Sequence, residues 1–102
     1  MDLKPGSRWR SSVCDTEVVV VKPPKGQASL ECGGHPMVAM TTAKPEGLTL
    51  SQDHAQGSQV GKRYADDETG AEILCSKAGA GSLAIDGRPI AVKDAKKLPS
   101  SD

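Results

Sequence analysis

The sequence predicts an all-β protein built from two small β units in tandem, and three observations predict it. The chain carries 11 Gly and 7 Pro in 102 residues, a density that favours short strands and tight turns over helices. No window of about 11 residues holds a 3.6-residue apolar stripe. A stretch of the sequence also recurs with its order preserved, the signature of an internal duplication.

Gly6-Ser7-Arg8-Trp9 returns as Gly61-Lys62-Arg63-Tyr64. At the same spacing Thr16-Glu17-Val18-Val19-Val20-Val21-Lys22 becomes Ala71-Glu72-Ile73-Leu74-Cys75-Ser76-Lys77. After a slightly shorter turn in the second copy, Leu30 to Met37 aligns with Leu83 to Ile90, matching Leu, Gly and Pro in order. Each copy is roughly 35 residues, the size of a repeat unit. Residues 1–43 are therefore read as the first unit, 44–58 as a linker or long loop, 59–98 as the second unit and 99–102 as a tail.

Within each unit the strands follow from residue type. Val18 to Val21 is a β-branched run closed by Pro23-Pro24-Lys25-Gly26, and Ile73 to Ser76 is closed by Ala78-Gly79-Ala80-Gly81; both read as hairpins returning through Ser29 to Cys32 and Ser82 to Ile85. Gly33-Gly34 and Asp86-Gly87 then turn the chain into Met37 to Met40 and Ile90 to Val92. Between the units, Thr41 to Val60 is polar, with Leu48-Thr49-Leu50 as a strand candidate. The polar stretch from Lys93 to Asp102 is expected to fray.

Composition limits stability and partners. The chain has no Phe, one Trp (Trp9) and one Tyr (Tyr64), so its core must be built from Val, Leu, Ile and Ala. Chains of this size bury about 60–70% of their unfolded surface, and a metal, a disulfide or self-association is the usual support. No apolar run approaches about 18 residues and the first residues have no apolar leader, so a soluble, cytoplasmic protein without a membrane span is expected. Thirteen basic residues balance 13 acidic ones, the basic residues are scattered, and two aromatic rings are too few to stack on bases. Nucleic acid is not an expected partner.

The first unit resembles desulforedoxin, the small β protein that also forms the N-terminal domain of desulfoferrodoxin-type superoxide reductases. The likeness rests on Gly6, Trp9, Ser11-Ser12-Val13-Cys14, Val18 to Val21, Gly26, Leu30, Cys32-Gly33-Gly34 and Met37, in the family's order and spacing. It implies a compact β domain in which two units form a pseudo-two-fold pair, so that one chain is an intramolecular pseudodimer or a weak homo-oligomer. The four thiolate positions of the family fall here on Ser11, Cys14, Cys32 and Gly33, and in the second unit on Asp66, Thr69, Ile85 and Asp86. Rubredoxin-type iron takes four sulfur ligands, so a one-iron centre within a single chain is not expected.

Cys14, Cys32 and His35 form the candidate constellation, with a C-x-x-H spacing from Cys32 to His35. Three readings stand open: a zinc site completed by Ser11, Asp15, water or another chain; a Cys14–Cys32 disulfide or redox pair; and inert remnant thiols. Cys75 reads as a small core residue, His54 as a surface histidine, Trp9 and Tyr64 as anchors of the core, and Asp66-Asp67-Glu68 as a solvated acidic turn. No hydrolase triad, phosphate loop or HExxH motif is present. The expected function is that of a non-enzymatic accessory or binding module with a protein partner and no cofactor, the alternative being a zinc-binding or thiol redox protein working at Cys14, Cys32 and His35.

Because the second unit has no cysteine at any of the four ligand positions, at least half the molecule must fold without thiolate-bound metal. Thermal melts with and without a strong chelator are expected to coincide. Replacing Cys14 and Cys32 together by Ser is expected to cost roughly 1–3 kcal/mol, the cost of two small packing changes.

Overall fold

The computed structural model describes residues 3–93; the expected tail 99–102 and residues 94–98 of the second unit lie outside them. The described chain is all-β, with ten short strands and one 3-10 turn at Gln52–His54. In order the strands are β1 (Arg8–Arg10), β2 (Glu17–Lys22), β3 (Leu30–Cys32), β4 (His35–Pro36), β5 (Val38–Ala39), β6 (Arg63–Ala65), β7 (Glu72–Lys77), β8 (Leu83–Ile85), β9 (Arg88–Pro89) and β10 (Ala91–Val92). They form a six-stranded antiparallel sheet, ordered β10-β6-β7-β2-β1-β5, and a four-stranded one, ordered β4-β3-β8-β9. Among the described residues no helix is long and apolar enough to cross a membrane.

The centre of the larger sheet is the β2–β7 ladder, in which Val18 faces Cys75, Val19 faces Leu74 and Val20 faces Ile73. Period-two alternation puts Val18, Val20, Ile73 and Cys75 on one face, where each is at most 1% exposed. The smaller sheet answers with Leu30 opposite Ile85 and Cys32 opposite Leu83, also buried. Removing a Leu, Ile or Val side chain of this kind from water stabilises by about 1.5–3 kcal/mol. Tyr64 is buried, its hydroxyl accepting the Gln59 N–H at 3.0 Å, and Trp9 packs partly buried against the same cluster while its Nε1–H donates to Ser7 Oγ.

The structure corrects three expectations. β2 and β3 are not a hairpin, nor are β7 and β8, because each pair is divided between the two sheets. Both edges of β2 are already taken by β1 and β7, and Pro23-Pro24, with no N–H to donate, ends the strand and lets the chain cross. Leu48-Thr49-Leu50 forms no strand; it belongs to a long loop that holds to the body through Ser51 N–H to Gly33 O and Ser82 N–H to His54 O.

The acidic turn is only half solvated. Asp67 and Glu68 are exposed, but Asp66 is 6% exposed. Its Oδ2 accepts from Thr69 N and Oγ1 at 3.2 and 2.7 Å and from Arg88 Nη2 at 2.8 Å. Burial pushes this carboxyl up, but the Thr69 and Arg88 donors outweigh it and hold it below the ordinary range. A carboxyl whose pKa is lowered on folding contributes stability above its unfolded pKa and loses that contribution as pH falls through the folded value. Urea melts between pH 7 and pH 3 are therefore expected to show a loss of stability on acidification that is smaller in Asp66→Asn. Arg88→Met, which leaves Asp66 without its ion-pair partner, is expected to cost about 1–3 kcal/mol at pH 7.

Candidate functional site

The loop from β1 to β2 is shaped by a serine. Ser11, fully buried, accepts the N–H groups of Val13 and Cys14 on its Oγ at 3.1 Å each, and its own N–H donates to Thr16 O. This side-chain turn replaces a backbone one and aims Cys14 inward. Cys32 arrives from the end of β3, and the two sulfurs lie 3.8 Å apart, both as free thiols.

The two thiols have unlike surroundings. Burial pushes the Cys14 thiol up, but hydrogen bonds from the Ser11 and Thr16 hydroxyls and from the Thr16 and Gly81 backbones more than offset this and bring it down to about 7. Cys32, with no exposed surface, is pushed up to about 12 by burial and by the negative charge that Cys14 can carry. At neutral pH the partly exposed sulfur is the acidic one and the hidden sulfur keeps its proton.

The second half of the chain roofs this pair. Gly81 N–H donates to Cys14 Sγ at 3.3 Å. A Cβ on Gly81 would come within 2.9 Å of Cys32 Sγ and 3.1 Å of Cys14 Sγ, and one on Gly79 would collide with the Thr16 hydroxyl. Neither glycine has a positive φ, so close approach, and not turn geometry, is what excludes a side chain there. The long loop closes the other side: at Gly33, with φ +67, a Cβ would lie 2.5 Å from Leu50 Cδ1 and 2.6 Å from Val13 Cγ2. The position that the desulforedoxin resemblance gives to a fourth thiolate is thus filled by loop packing. Lys44 Nζ also donates to Cys14 O at 2.9 Å.

Of the three sequence candidates, the fold brings Cys14 and Cys32 together and turns His35 elsewhere. His35 is the cross-strand partner of Cys32, yet its Nε2 meets Thr49 O at 2.9 Å. Among the described residues no three His, Cys, Asp or Glu side chains are grouped closely enough to hold a metal ion. Cys75 is buried in β7, its sulfhydryl donating to Lys77 O, and burial raises its pKa. His54, partly exposed, sits at the end of the 3-10 turn beside Gly34.

Thr16, Ser58, Gly79 and Gly81 were not singled out as site residues by sequence. The signal available was the pair of glycines in Gly79-Ala80-Gly81. No family model matches the chain, and neither a curated protein nor a solved structure matches it.

The pair can do thiol chemistry, and it could also offer two of the four ligands a tetrahedral ion takes. Iodoacetamide at pH 7 is expected to modify Cys14 first, with the rate half-maximal near pH 7, while Cys32 and Cys75 react only on unfolding; peptide mass spectrometry reads all three. Equal labelling of the three thiols would contradict this asymmetry.

Proposed function

We infer that the chain is a thiol–disulfide protein, in which Cys14 and Cys32 pass between dithiol and disulfide on an internally duplicated, desulforedoxin-like β scaffold. The 3.8 Å separation of the sulfurs carries the reading, since closing to a bond of about 2.05 Å asks for a small movement. With a low-molecular-weight disulfide as oxidant, the Cys14 thiolate attacks one sulfur, forming a mixed disulfide and releasing one thiolate. Cys32 then loses its proton to solvent and attacks the Cys14 sulfur, breaking the mixed disulfide and releasing the second thiolate, so that two thiols are oxidised by two electrons and one disulfide is reduced to two thiols. Capping Cys14 removes the charge that helps hold Cys32 protonated, which favours the second step.

Recurrent hydrogen bonds support the duplication. Gly6 N–H to Val20 O has its counterpart in Gly61 N–H to Cys75 O, and Val20 N–H to Ser7 O in Cys75 N–H to Lys62 O. Ser11 N–H to Thr16 O likewise answers to Asp66 N–H to Ala71 O, and Met37 N–H to Leu30 O to Ile90 N–H to Leu83 O. Each pair keeps the sequence offset of the repeat, and both sheets read the same from either end when β1–β5 are exchanged for β6–β10. In this reading the second unit keeps the fold without the chemistry.

Titration with oxidised glutathione is expected to convert the protein to a form lighter by two hydrogens, with Cys14 and Cys32 joined and Cys75 free. Cys32→Ser should stop at a glutathione adduct on Cys14. A wild-type protein that accumulates the same adduct without closing the bond would sink the reading and leave the binding module.

A further inference from the structure

The groups around Cys14 form a closed ring of hydrogen bonds. Ser58 Oγ–H donates to Gly81 O, Thr16 Oγ1–H donates to Ser58 Oγ at 3.3 Å, Thr16 Oγ1 lies 3.2 Å from Cys14 Sγ, and Gly81 N–H returns to that sulfur at 3.3 Å. Thr16 is fully buried and Ser58 7% exposed, so bulk water does not substitute for either hydroxyl. A hydroxyl has one hydrogen. Ser58 spends its hydrogen on the Gly81 carbonyl, so it can only accept from Thr16. Thr16 then has none left for the sulfur, so in the 3.2 Å contact between them the donor is the Cys14 S–H and Thr16 Oγ1 accepts.

Ionisation of Cys14 removes that donor and turns the sulfur into an acceptor. We propose that Thr16 is the positioning residue of the thiol pair, its hydroxyl turning from Ser58 to the Cys14 sulfur as the thiol loses its proton, with Ser58 as the competing acceptor. The proton lost by sulfur goes to solvent. Thr16 keeps its own hydrogen and only redirects it, and Ser58 remains bonded to Gly81. Hydrogen bonds to a charged partner are the stronger ones, so the redirected bond favours the thiolate. The inference concerns the same site as the thiol–disulfide reading and rests on it for its purpose, though not for its geometry.

The other titratable and charged groups around the sulfur are Cys32 from β3, Cys75 from β7, the adjacent exposed Asp15, His35 on β4 turned to Thr49, and Lys44, which bonds the Cys14 carbonyl. Thr16 and Ser58 titrate nowhere in the working range, so replacing them changes no charge.

The test is the pH profile of Cys14 alkylation by iodoacetamide, followed on the Cys14 peptide, in the full chain and in Thr16→Val, Thr16→Ser and Ser58→Ala. Thr16→Val keeps the shape and removes the hydroxyl; its half-point is expected to rise by about one to two pH units. Thr16→Ser should return to the wild-type profile. Ser58→Ala frees the Thr16 hydrogen for the sulfur, so its half-point should stay at or fall below that of wild type, the opposite sign from Thr16→Val. A Thr16→Val profile that overlays the wild type would overturn the proposal, as would a rise in Ser58→Ala equal to that in Thr16→Val, which would mark both hydroxyls as structural props. If Thr16→Val fails to fold, Ser58→Ala decides alone: a half-point at or below that of wild type supports the proposal, and any rise overturns it. The disulfide assay is independent of this one: a wild type that never closes its disulfide, together with a raised Thr16→Val profile, removes the redox reading and supports the role of Thr16.

Discussion

The antiparallel pairing of β2 with β7 is the interaction on which the molecule depends. These are the two longest strands, at six residues each, and they come from opposite halves of the chain. Their ladder brings Val18, Val20, Ile73 and Cys75 onto one face, which the β3–β8 pair covers with Leu30, Cys32, Leu83 and Ile85. A slip of one residue would turn that whole apolar set to solvent, so burial and register enforce one another. The core is closed by residues of both halves, and a chain this small and poor in aromatic residues has little apolar surface to spare.

The thiol pair is a product of that pairing. Cys14 and Cys32 belong to the first half, and Ser11 and Thr16 of the same loop bond the Cys14 sulfur, but the rest of the site arrives from elsewhere: Gly79 and Gly81 from the β7–β8 connection, Ser58 and Leu50 from the long loop. Antiparallel association of the two long strands places the turn that follows β7 over the loop that precedes β2. The Gly81 N–H can then reach the Cys14 sulfur because the turn is built of residues without side chains at the two points of closest approach. The unlike acidities of the two thiols follow, since donors outweigh burial at Cys14, whereas at Cys32 burial and the Cys14 charge outweigh the Thr16 and Ser11 hydroxyls.

The corresponding loop of the second half is held in a different way. Ser11 and Asp66 each accept the N–H three residues on, so both loops are tied by a side-chain oxygen. In the first, the residue so held is a cysteine; in the second it is Thr69, whose hydroxyl donates back to Asp66, and Arg88 completes a polar cross-link. Lys25 N–H donates to Thr69 O as the β2–β3 connection crosses above it. A buried carboxylate with three donors ties its loop with no sulfur ligand and does so best above the carboxyl's pKa.

Much of the architecture was legible because its causes are local. Alternation in Val18 to Val21 and Ile73 to Ser76, glycine pairs at tight turns and the recurrence of Gly, aromatic, Leu and Pro in order are written residue by residue, and they predict an all-β chain with these two central strands. The proximity of Cys14 to Cys32 followed only from family resemblance, and the departure of His35 from them was not legible, because a ring one hairpin away can turn either to a sulfur or to a carbonyl that the long loop happens to bring. The crossing of β2 to β3 between sheets was missed for a similar reason: a β-branched run followed by a turn looks the same whether its neighbour is the next strand or one from the far half. Sequence by itself determined the strand periodicity, the turns and the supply of thiols. Tertiary structure alone decided how deeply each sulfur is buried, why Gly33 and Gly81 must be glycine, and how Ser58 enters the site, because each depends on atoms far apart in the chain, brought within hydrogen-bond or van der Waals reach only in the folded molecule.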